Sequence, residues 1–258
     1  MAAKWDRAGA GASFELVHRH HGCATGFASA IYQLSQAGVQ SSRGDVMVAT
    51  KRSIGPTGQA AFIDVETTGL SPYNDEIVQL SVVRFRFCRE TGEILETEAN
   101  YTGFNEPTRG IPAGATQVHG ISDKDVLGHR LDTVLIESVV QPAEFMIAHN
   151  APFDRAFLIS QFAWALEKPW KCSMRHVDWQ ARGHRSRSLQ KLLLAHGITV
   201  ARAHRADSDV DAALQLLNCD AGNGLRYFYE VMLHRPLVRP KAPIHSTAGL
   251  HASRQVSS

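Results

Sequence analysis

Residues 60–70 read AAFIDVETTGL, an apolar run that two acids interrupt and that Gly69 closes. A short apolar run followed by a glycine turn is typical of a buried strand, so we predict a strand here. Asp64 and Glu66 are two residues apart, which places both side chains on one face of that strand. Acids within an apolar strand are costly to bury unless they are paired or bind a metal ion. A structural role stays open, in which one acid caps a helix and the other reaches solvent.

The residues that follow alternate further strands with helices. EIVQLSVVRFRF (76–87) predicts a half-buried strand that forms a hairpin with GEILETEANYT (92–102), and AEFMIAHN (143–150) predicts a short buried strand. Pro152 falls in the first turn of a helix predicted over 151–166, capped by Asn150 or Ala151. Further helices are predicted around 115–119, 131–140, 187–196, 208–218 and 224–234. This order predicts an α/β fold with a mixed β-sheet flanked by helices.

Length and composition indicate one sizeable domain with extensions. The chain has 258 residues, 44% of them hydrophobic and 20% charged, and a net charge of +2. We expect an N-terminal extension over 1–58, a main domain over 59–235 and a flexible basic tail over 236–258. Within the extension, Phe27, Ile31 and Leu34 predict one amphipathic helix that ends at Gly38.

Four widely spaced cysteines favour reduced thiols over a disulfide framework. The sequence has neither an apolar stretch of membrane-spanning length nor a signal-peptide pattern, so we expect a cytoplasmic protein without a membrane partner.

Two later segments carry further acids. In HNAPFD (149–154), Asp154 falls in the first turn of a predicted helix, where the helix dipole alone also favours an acid. In HRADSDVDAA (204–213), Asp209 and Asp211 differ by about 200° around the helix axis, so one site cannot use both. Ser208 and Asp211 fit a capping box, which leaves Asp209 without a structural role and Asp207 unassigned.

Four acids on separate elements can converge on a pair of divalent cations. Oxygen ligands without thiols favour Mg²⁺ or Mn²⁺. Two such ions support phosphodiester hydrolysis, and a histidine that titrates near neutrality can take the proton from the attacking water. His204 is the candidate for that base.

FIDVETTGL, HNAPFD and HRADSD together resemble the three motifs of the DEDDh (DnaQ-like) 3′–5′ exonuclease superfamily. Its members include the epsilon proofreading subunit of bacterial DNA polymerase III and ribonuclease T. The resemblance covers about residues 58–235. It implies a ribonuclease H-like fold and two-metal hydrolysis from the 3′ end, with release of nucleoside 5′-monophosphates. By motif match it implies that His204 is the general base and that the metal ligands are Asp64, Glu66, Asp154 and Asp209.

The resemblance also implies which residues bind the substrate. ATQVHGIS (115–122) is similar to a family segment that lies beside the bound 3′ end. The residues after the first two acids line the terminal-nucleotide pocket in this family. The substrate-binding candidates are therefore Thr67, Thr68, Gly69, Leu70, His119, Asn150 and Phe153.

A basic run supports a polyanionic substrate, because residues 182–205 contain six Lys or Arg and no acid. A solvated basic helix face explains that run equally well. The expected partners are nucleic-acid 3′ ends, with single-stranded DNA favoured and RNA possible, and a DNA polymerase or another protein, in proofreading or DNA repair. The alternatives are an exoribonuclease in RNA processing and a non-catalytic, polymerase-accessory protein that binds nucleic acid.

Overall fold

A five-stranded mixed sheet forms the centre of the computed structural model, which describes residues 55–200 and 202–240. The strand order is β3-β2-β1-β4-β5. β1 pairs antiparallel with β2 and parallel with β4, β2 pairs antiparallel with β3, and β4 pairs parallel with β5. The strands are β1 (Thr57–Thr67), β2 (Ile77–Cys88), β3 (Ile94–Phe104), β4 (Met146–Ala148) and β5 (Trp170–Cys172). The predicted mixed sheet is confirmed.

Helices cover both faces of this sheet. They are α1 (Ala113–His119), α2 (Asp123–Val126), α3 (Thr133–Val140), α4 (Ala151–Leu158), α5 (Ala163–Glu167), α6 (Ser173–His176), α7 (Leu189–Ala195), α8 (Ala206–Leu217) and α9 (Tyr227–Leu233). A small hairpin of β6 (Asp220–Gly222) and β7 (Leu225–Arg226) joins α8 to α9.

The alternation of side chains along β1 places the two acids of this strand. Ile63 and Val65 belong to the core that α3, α4 and α5 cover, whereas Phe62 belongs to the core that α7, α8 and α9 cover. Since side chains two residues apart share a face, Asp64 and Glu66 continue the face of Phe62. The two acids therefore point toward the helices of the second core, of which α8 is one.

β2 differs from the prediction because it is buried on both faces rather than on one. Val83 and Phe85 pack in the core of α8 and α9, and Leu80 and Val82 pack in the core of α3. Gln79 and Ser81, which the alternation assigns to a polar face, are each 1% exposed. Helices on both faces of a central strand explain this burial.

The helix predicted over 151–166 is two helices, since α4 ends at Leu158 and α5 begins at Ala163. Arg155, on α4, donates hydrogen bonds to the carbonyls of Ala165 and Val238, which fixes α5 beside α4. The sequence did not predict several short elements, which have four residues or fewer: α2, α6, β5 and the two strands of the β6–β7 hairpin. Segments of this length carry too few residues to show a period.

The predicted extension helix at Phe27–Gly38 lies outside the described residues. At the other end, the N–H of Leu237 donates to the carbonyl of Trp170, so the first residues of the predicted tail pack on the domain. The domain boundaries stay a prediction. No helix among residues 55–200 and 202–240 is long and apolar enough to cross a membrane.

Candidate active site

Three carboxylates from β1 and α8 meet at one point. One carboxylate oxygen of each of Asp64, Glu66 and Asp209 lies within 4.8 Å of the others. Asp209 is buried and Asp211 is exposed, as the predicted 200° separation requires. The structure thus brings together two sequence motifs that are about 145 residues apart in the chain.

Asp154 reaches the same place from α4. Its Oδ1 accepts a hydrogen bond of 3.3 Å from the backbone N–H of Val65, between the two acids of β1. β4 pairs with β1 only up to Phe62, so the N–H of Val65 lies beyond this parallel pairing. The acid therefore satisfies a backbone donor of the strand while its carboxylate lies beside Asp64.

The start of α8 differs from the prediction. The helix begins at Ala206 with Arg205 as its N-cap, so Ser208 is the third helical residue and the predicted capping box with Asp211 is wrong. Gln79 of β2 takes the capping role, because its Oε1 accepts from the N–H of Ala206 at 3.2 Å. Its Nε2 donates to Asp207 at 3.4 Å, which gives Asp207 a structural contact.

Gln190 is a site residue that the sequence did not reveal. Its Nε2, near the start of α7, donates a hydrogen bond of 2.9 Å to Oδ1 of Asp209. This contact and a hydrogen bond with the backbone of His204 orient the carboxylate of Asp209. No pattern around Gln190 distinguishes it from an ordinary helix residue, whereas the glutamine of β2 was visible as a polar residue in an apolar strand.

His204 lies at the edge of the site, exposed to solvent, two residues before α8. Its backbone φ of 59° falls in the left-handed region, which is uncommon for residues other than glycine. Such conformations occur where the surrounding structure imposes them, and they concentrate at functional sites. The turn at His204 directs its imidazole to the cleft that also contains Asp209.

A cleft of about 220 Å³ contains these groups. Asp64, Glu66, Asp154, Asp209 and His204 all line it, together with Val65, His149, Asn150, Phe153, Ser188, Leu189 and Gln190. His149 is buried between Ser173 (3.0 Å from Nδ1) and the carbonyl of Arg187 (2.7 Å from Nε2), so it holds the cleft wall. The five residues assigned to catalysis by motif thus share one cleft.

The environment of the cleft raises the pKa of all four acids. Burial, followed by the charges of Asp154, Glu66 and Asp209, raises the pKa of Asp64 well above its ordinary value. Burial, followed by Asp209 and Asp154, raises the pKa of Glu66 to about 8, and burial raises the pKa of Asp154 to about 7. Burial also raises the pKa of Asp209, against its hydrogen bond with Gln190. Without a cation, Glu66 and Asp154 therefore retain protons near neutral pH.

This donor set fits divalent cations with a preference for oxygen. The group that lies within 4.8 Å consists of carboxylates alone, and a bound cation would offset the burial of their charges and the repulsion between Asp64 and Glu66. A zinc site would be expected to include thiolate or imidazole ligands at the same point. Asp64, Glu66 and Asp209, with Asp154 beside them, are therefore the residues that would hold Mg²⁺ or Mn²⁺.

The predicted substrate residues divide into three groups. Asn150 and Phe153 line the cleft. Thr67 is the last residue of β1, and Thr68, Gly69 and Leu70 begin the loop that follows, in which Leu70 is 85% exposed. His119 is buried and lines a separate cavity, and burial lowers its pKa.

The loop after β1 is held by its own side chains. Thr68 accepts a hydrogen bond from the N–H of Glu76 and donates one to Asp75, and Asp75 also accepts from the N–H of Ser71. A loop with this many internal hydrogen bonds presents Leu70 to solvent at a fixed place.

The family model and the relatives of similar sequence both identify an exonuclease domain. The exonuclease family model RNase_T matches residues 61–217. DNA polymerase III subunit epsilon of Treponema pallidum is 29% identical over 162 residues, which are 59% of this chain and 72% of that protein. An epsilon-like protein of Rhodobacter capsulatus is 38% identical over 115 residues, 40% of this chain and 15% of that protein. The PolC-type DNA polymerase III of Bacillus subtilis is 29% identical over 65% of this chain, which spans only 12% of it.

Solved structures show the same fold. Exonuclease I of E. coli in complex with a dT13 oligonucleotide superposes with a TM-score of 0.50 at 18% identity, over 61% of this chain and 39% of that one. The metal-free form of its complex with single-stranded DNA gives 0.51 at 18% identity, over 66% and 41%. At this identity the likeness establishes the fold alone, a mixed sheet of the ribonuclease H-like exonuclease type. With a family model that covers residues 61–217, this chain belongs to the RNase_T exonuclease family of DnaQ-like nucleases.

Proposed function

We propose that this protein is a metal-dependent 3′–5′ exonuclease that removes nucleoside 5′-monophosphates from DNA. The observation that carries the proposal is the convergence of four carboxylates and one histidine, from three sequence motifs, on one cleft of about 220 Å³. A binding protein that keeps the fold without catalysis has no need of these acids, since their mutual repulsion destabilises the empty site. The complete set therefore favours an enzyme over an accessory protein.

The chain supplies three functions in this proposal. Asp64, Glu66, Asp154 and Asp209 hold two divalent cations, which activate the attacking water and stabilise the leaving oxygen when they are bound. His204 accepts the proton of that water, because it lines the cleft and an imidazole can act as a general base. Asn150 and Phe153, which line the same cleft, position the terminal nucleotide together with residues 67–70.

DNA is the favoured substrate on the evidence of the relatives. The curated relatives above are named as DNA polymerase III subunits or polymerases, and exonuclease I was crystallised with single-stranded DNA. By the same reasoning a DNA polymerase is the proposed protein partner, with proofreading or repair as the process. Since the match spans a small part of two of these relatives, their activities are extended to this chain only as a proposal.

Digestion of a 5′-labelled single strand of DNA tests the direction and the metal dependence together. A 3′–5′ exonuclease produces a ladder of shortened labelled strands with Mg²⁺ or Mn²⁺ and none with EDTA. Asp64→Asn is the matched inactive variant, because the amide keeps the size of the side chain and removes its charge. Release of the label as a mononucleotide in the first products would contradict the direction, and a ladder in EDTA would contradict the metal dependence.

The same reaction on RNA and duplex DNA of matched sequence tests the substrate. We expect single-stranded DNA to give the highest kcat/KM. A higher kcat/KM on RNA would assign the same cleft to RNA processing, because recognition of the 2′-hydroxyl depends on the shape of the pocket and not on the catalytic acids.

A further inference from the structure

A second cavity lies beside the candidate active site, between the end of α1 and the loop that precedes α8. Its volume is about 360 Å³, and Gln117, His119, Arg202 and Arg205 provide its polar lining. Two arginines line this space and no acidic residue does. Guanidinium groups bind phosphate oxygens through charge-assisted hydrogen bonds, so the cavity is suited to a phosphate anion.

Arg205 connects this cavity to the cleft of the four acids. It follows His204 directly, and the Cα atoms of consecutive residues are about 3.8 Å apart. His204 lines the cleft, whereas Arg205 lines the second cavity. A nucleic-acid strand that leaves the cleft past His204 would therefore reach the second cavity.

Arg202 and Arg205 have no carboxylate partner in an ion pair within the described part of the chain. No hydrogen bond or ion pair there involves either guanidinium, and Nε of Arg205 is buried without a partner. Phe104 packs under the guanidinium of Arg205 at 5.2 Å, which restrains the charge without neutralising it. Arg182, from the same basic run, is instead paired with Glu230.

The remaining lining adds hydrogen-bonding capacity. His119 is 4% exposed, and the N–H of Ile121 and the backbone of Thr67 hold its ring, so it forms a buried part of the cavity wall. The amide of Gln117 offers a further donor at the rim.

We propose that this cavity binds a phosphate of the substrate strand other than the one being hydrolysed, with Arg202 and Arg205 as its positive charges. The inference rests on the proposed function and adds to it a second anchoring point for the strand. Contacts to phosphate position a strand without reading its sequence, which suits an enzyme that must act on any 3′ end.

Two substrates distinguish phosphate binding in the second cavity from catalysis: one that has a single phosphate and one that has several. Thymidylyl-thymidine contains only the phosphate to be hydrolysed, whereas a longer oligothymidylate also has phosphates for the second cavity. We expect Arg202→Ala to lower kcat/KM on the oligothymidylate by about three- to tenfold, the effect of one exposed charge-assisted contact. Its kcat/KM on thymidylyl-thymidine should equal that of the wild type. Equal losses on both substrates, or no loss on the longer one, would overturn the proposal.

Arg235→Ala is the matched control, since Arg235 is an exposed arginine that lines neither cavity. It should leave kcat/KM unchanged on both substrates. If the wild type hydrolyses neither substrate under Mg²⁺ or Mn²⁺, the proposed function fails. The role of the second cavity is then tested by measurements of binding alone.

Binding of the oligothymidylate to Asp64→Asn in EDTA needs no turnover. Each phosphate contact that is lost makes the slope of log K against log salt concentration shallower by about 0.7 for a single strand. We expect this change when Arg202→Ala is added to Asp64→Asn, and no change when Arg235→Ala is added. An unchanged slope with Arg202→Ala would overturn the proposal.

A competition experiment distinguishes a phosphate of the strand from free phosphate. Inorganic phosphate should compete with the oligothymidylate on the Asp64→Asn protein and compete less once Arg202→Ala is added. If inorganic phosphate binds through Arg202 while the affinity for the oligothymidylate does not depend on this residue, the cavity serves a free anion and the strand assignment is wrong.

Discussion

Asp209 and Asp211 differ in environment although both lie near the start of α8. Asp209 is 6% exposed and faces the carboxylates of β1, while Asp211 is exposed on the outer side of the helix. Asp209→Asn should therefore lower kcat by two or more orders of magnitude, because the amide cannot balance the charge of a cation. Asp211→Asn, the matched control, should keep full activity in the same metal-dependent assay. Loss of activity in a folded Asp211→Asn protein would show that the motif match selected the wrong aspartate.

The role of His204 is best tested by a variant that keeps its left-handed backbone conformation. Because φ is 59°, alanine at this position would combine the loss of the imidazole with a strained conformation, whereas asparagine tolerates the left-handed region. His204→Asn should lower kcat by about 10²-fold or more while the affinity for Mn²⁺, measured by calorimetry, stays normal. The acid limb of the pH–rate profile should disappear. A retained acid limb would assign the general base to another group.

The residues of the site were predictable to different degrees. Strand periodicity placed Asp64 and Glu66 on one face, and helix periodicity separated Asp209 from Asp211. The choice of Asp209 came from the motif match, since the capping box assigned to Asp211 is absent. Gln190 and Gln79 could not be selected from the sequence, since their roles arise only where elements distant in the chain meet. Asp207 was unassigned for the same reason, as its partner is on β2.

At the scale of the element, α7 acts on the site through Gln190. The amide fixes one oxygen of Asp209, and removal of such a supporting contact commonly lowers metal affinity about 10- to 100-fold. Gln190→Ala should therefore weaken Mn²⁺ binding and raise the metal concentration needed for half-maximal activity, with a smaller effect on kcat at saturating metal. Gln190→Glu should not restore the affinity, because a carboxylate beside Asp209 cannot donate the hydrogen bond. An unchanged affinity in Gln190→Ala would show that Asp209 is positioned by α8 alone.

The turn between β2 and β3 depends on Gly92. Its φ is +71°, and a Cβ here would lie 2.4 Å from the backbone nitrogen of Tyr229 at the start of α9. Gly92→Ala should lower the free energy of unfolding by about 2 kcal/mol or more, or Tm by about 4–8 °C. Gly114→Ala is the control, since α1 has no atom within 4 Å of the added methyl group, and it should not lower Tm. Equal Tm values for the two variants would contradict this account of the turn.

Long, periodic elements were predictable from the sequence, and short ones were not. β1, β2 and β3 each have 11 or 12 residues, and the residues predicted for them match the strands closely. β5 has three residues, WKC, of which Lys171 is buried because its ammonium donates to the carbonyl of Met232. A lysine in so short a segment indicates solvent exposure until the tertiary contact is known. The burial of both faces of β2 likewise depends on helices far along the chain.

Across the whole molecule, the acid cluster makes stability depend on pH and on metal. A carboxyl whose pKa is higher in the folded state than in the unfolded state binds more protons when folded, so its contribution falls as pH rises. For Glu66 this window extends from its ordinary pKa of 4.5 to about 8. Metal-free protein should therefore lose Tm toward pH 8 relative to Asp64→Asn, and Mg²⁺ or Mn²⁺ should restore it.

Another titrating group, His176, changes stability with pH in the opposite direction, and the comparison with Asp64→Asn removes its effect. Burial lowers the pKa of His176 to about 4, and a buried neutral histidine costs stability as pH falls from about 6.5 toward 4. That contribution is common to both proteins and cancels in the difference between their Tm values. A difference that does not change between pH 5 and pH 8 in EDTA would contradict the raised pKa values of the cluster.

The order of the ligands along the chain has a consequence during translation. The proposed metal ligands begin at Asp64 on the central strand and end at Asp209, which reaches that strand only when α8 docks. A polypeptide still emerging from the ribosome lacks the last ligand until most of the domain has been synthesised. The nascent chain therefore has no complete nuclease centre until α8 has emerged and docked on the sheet.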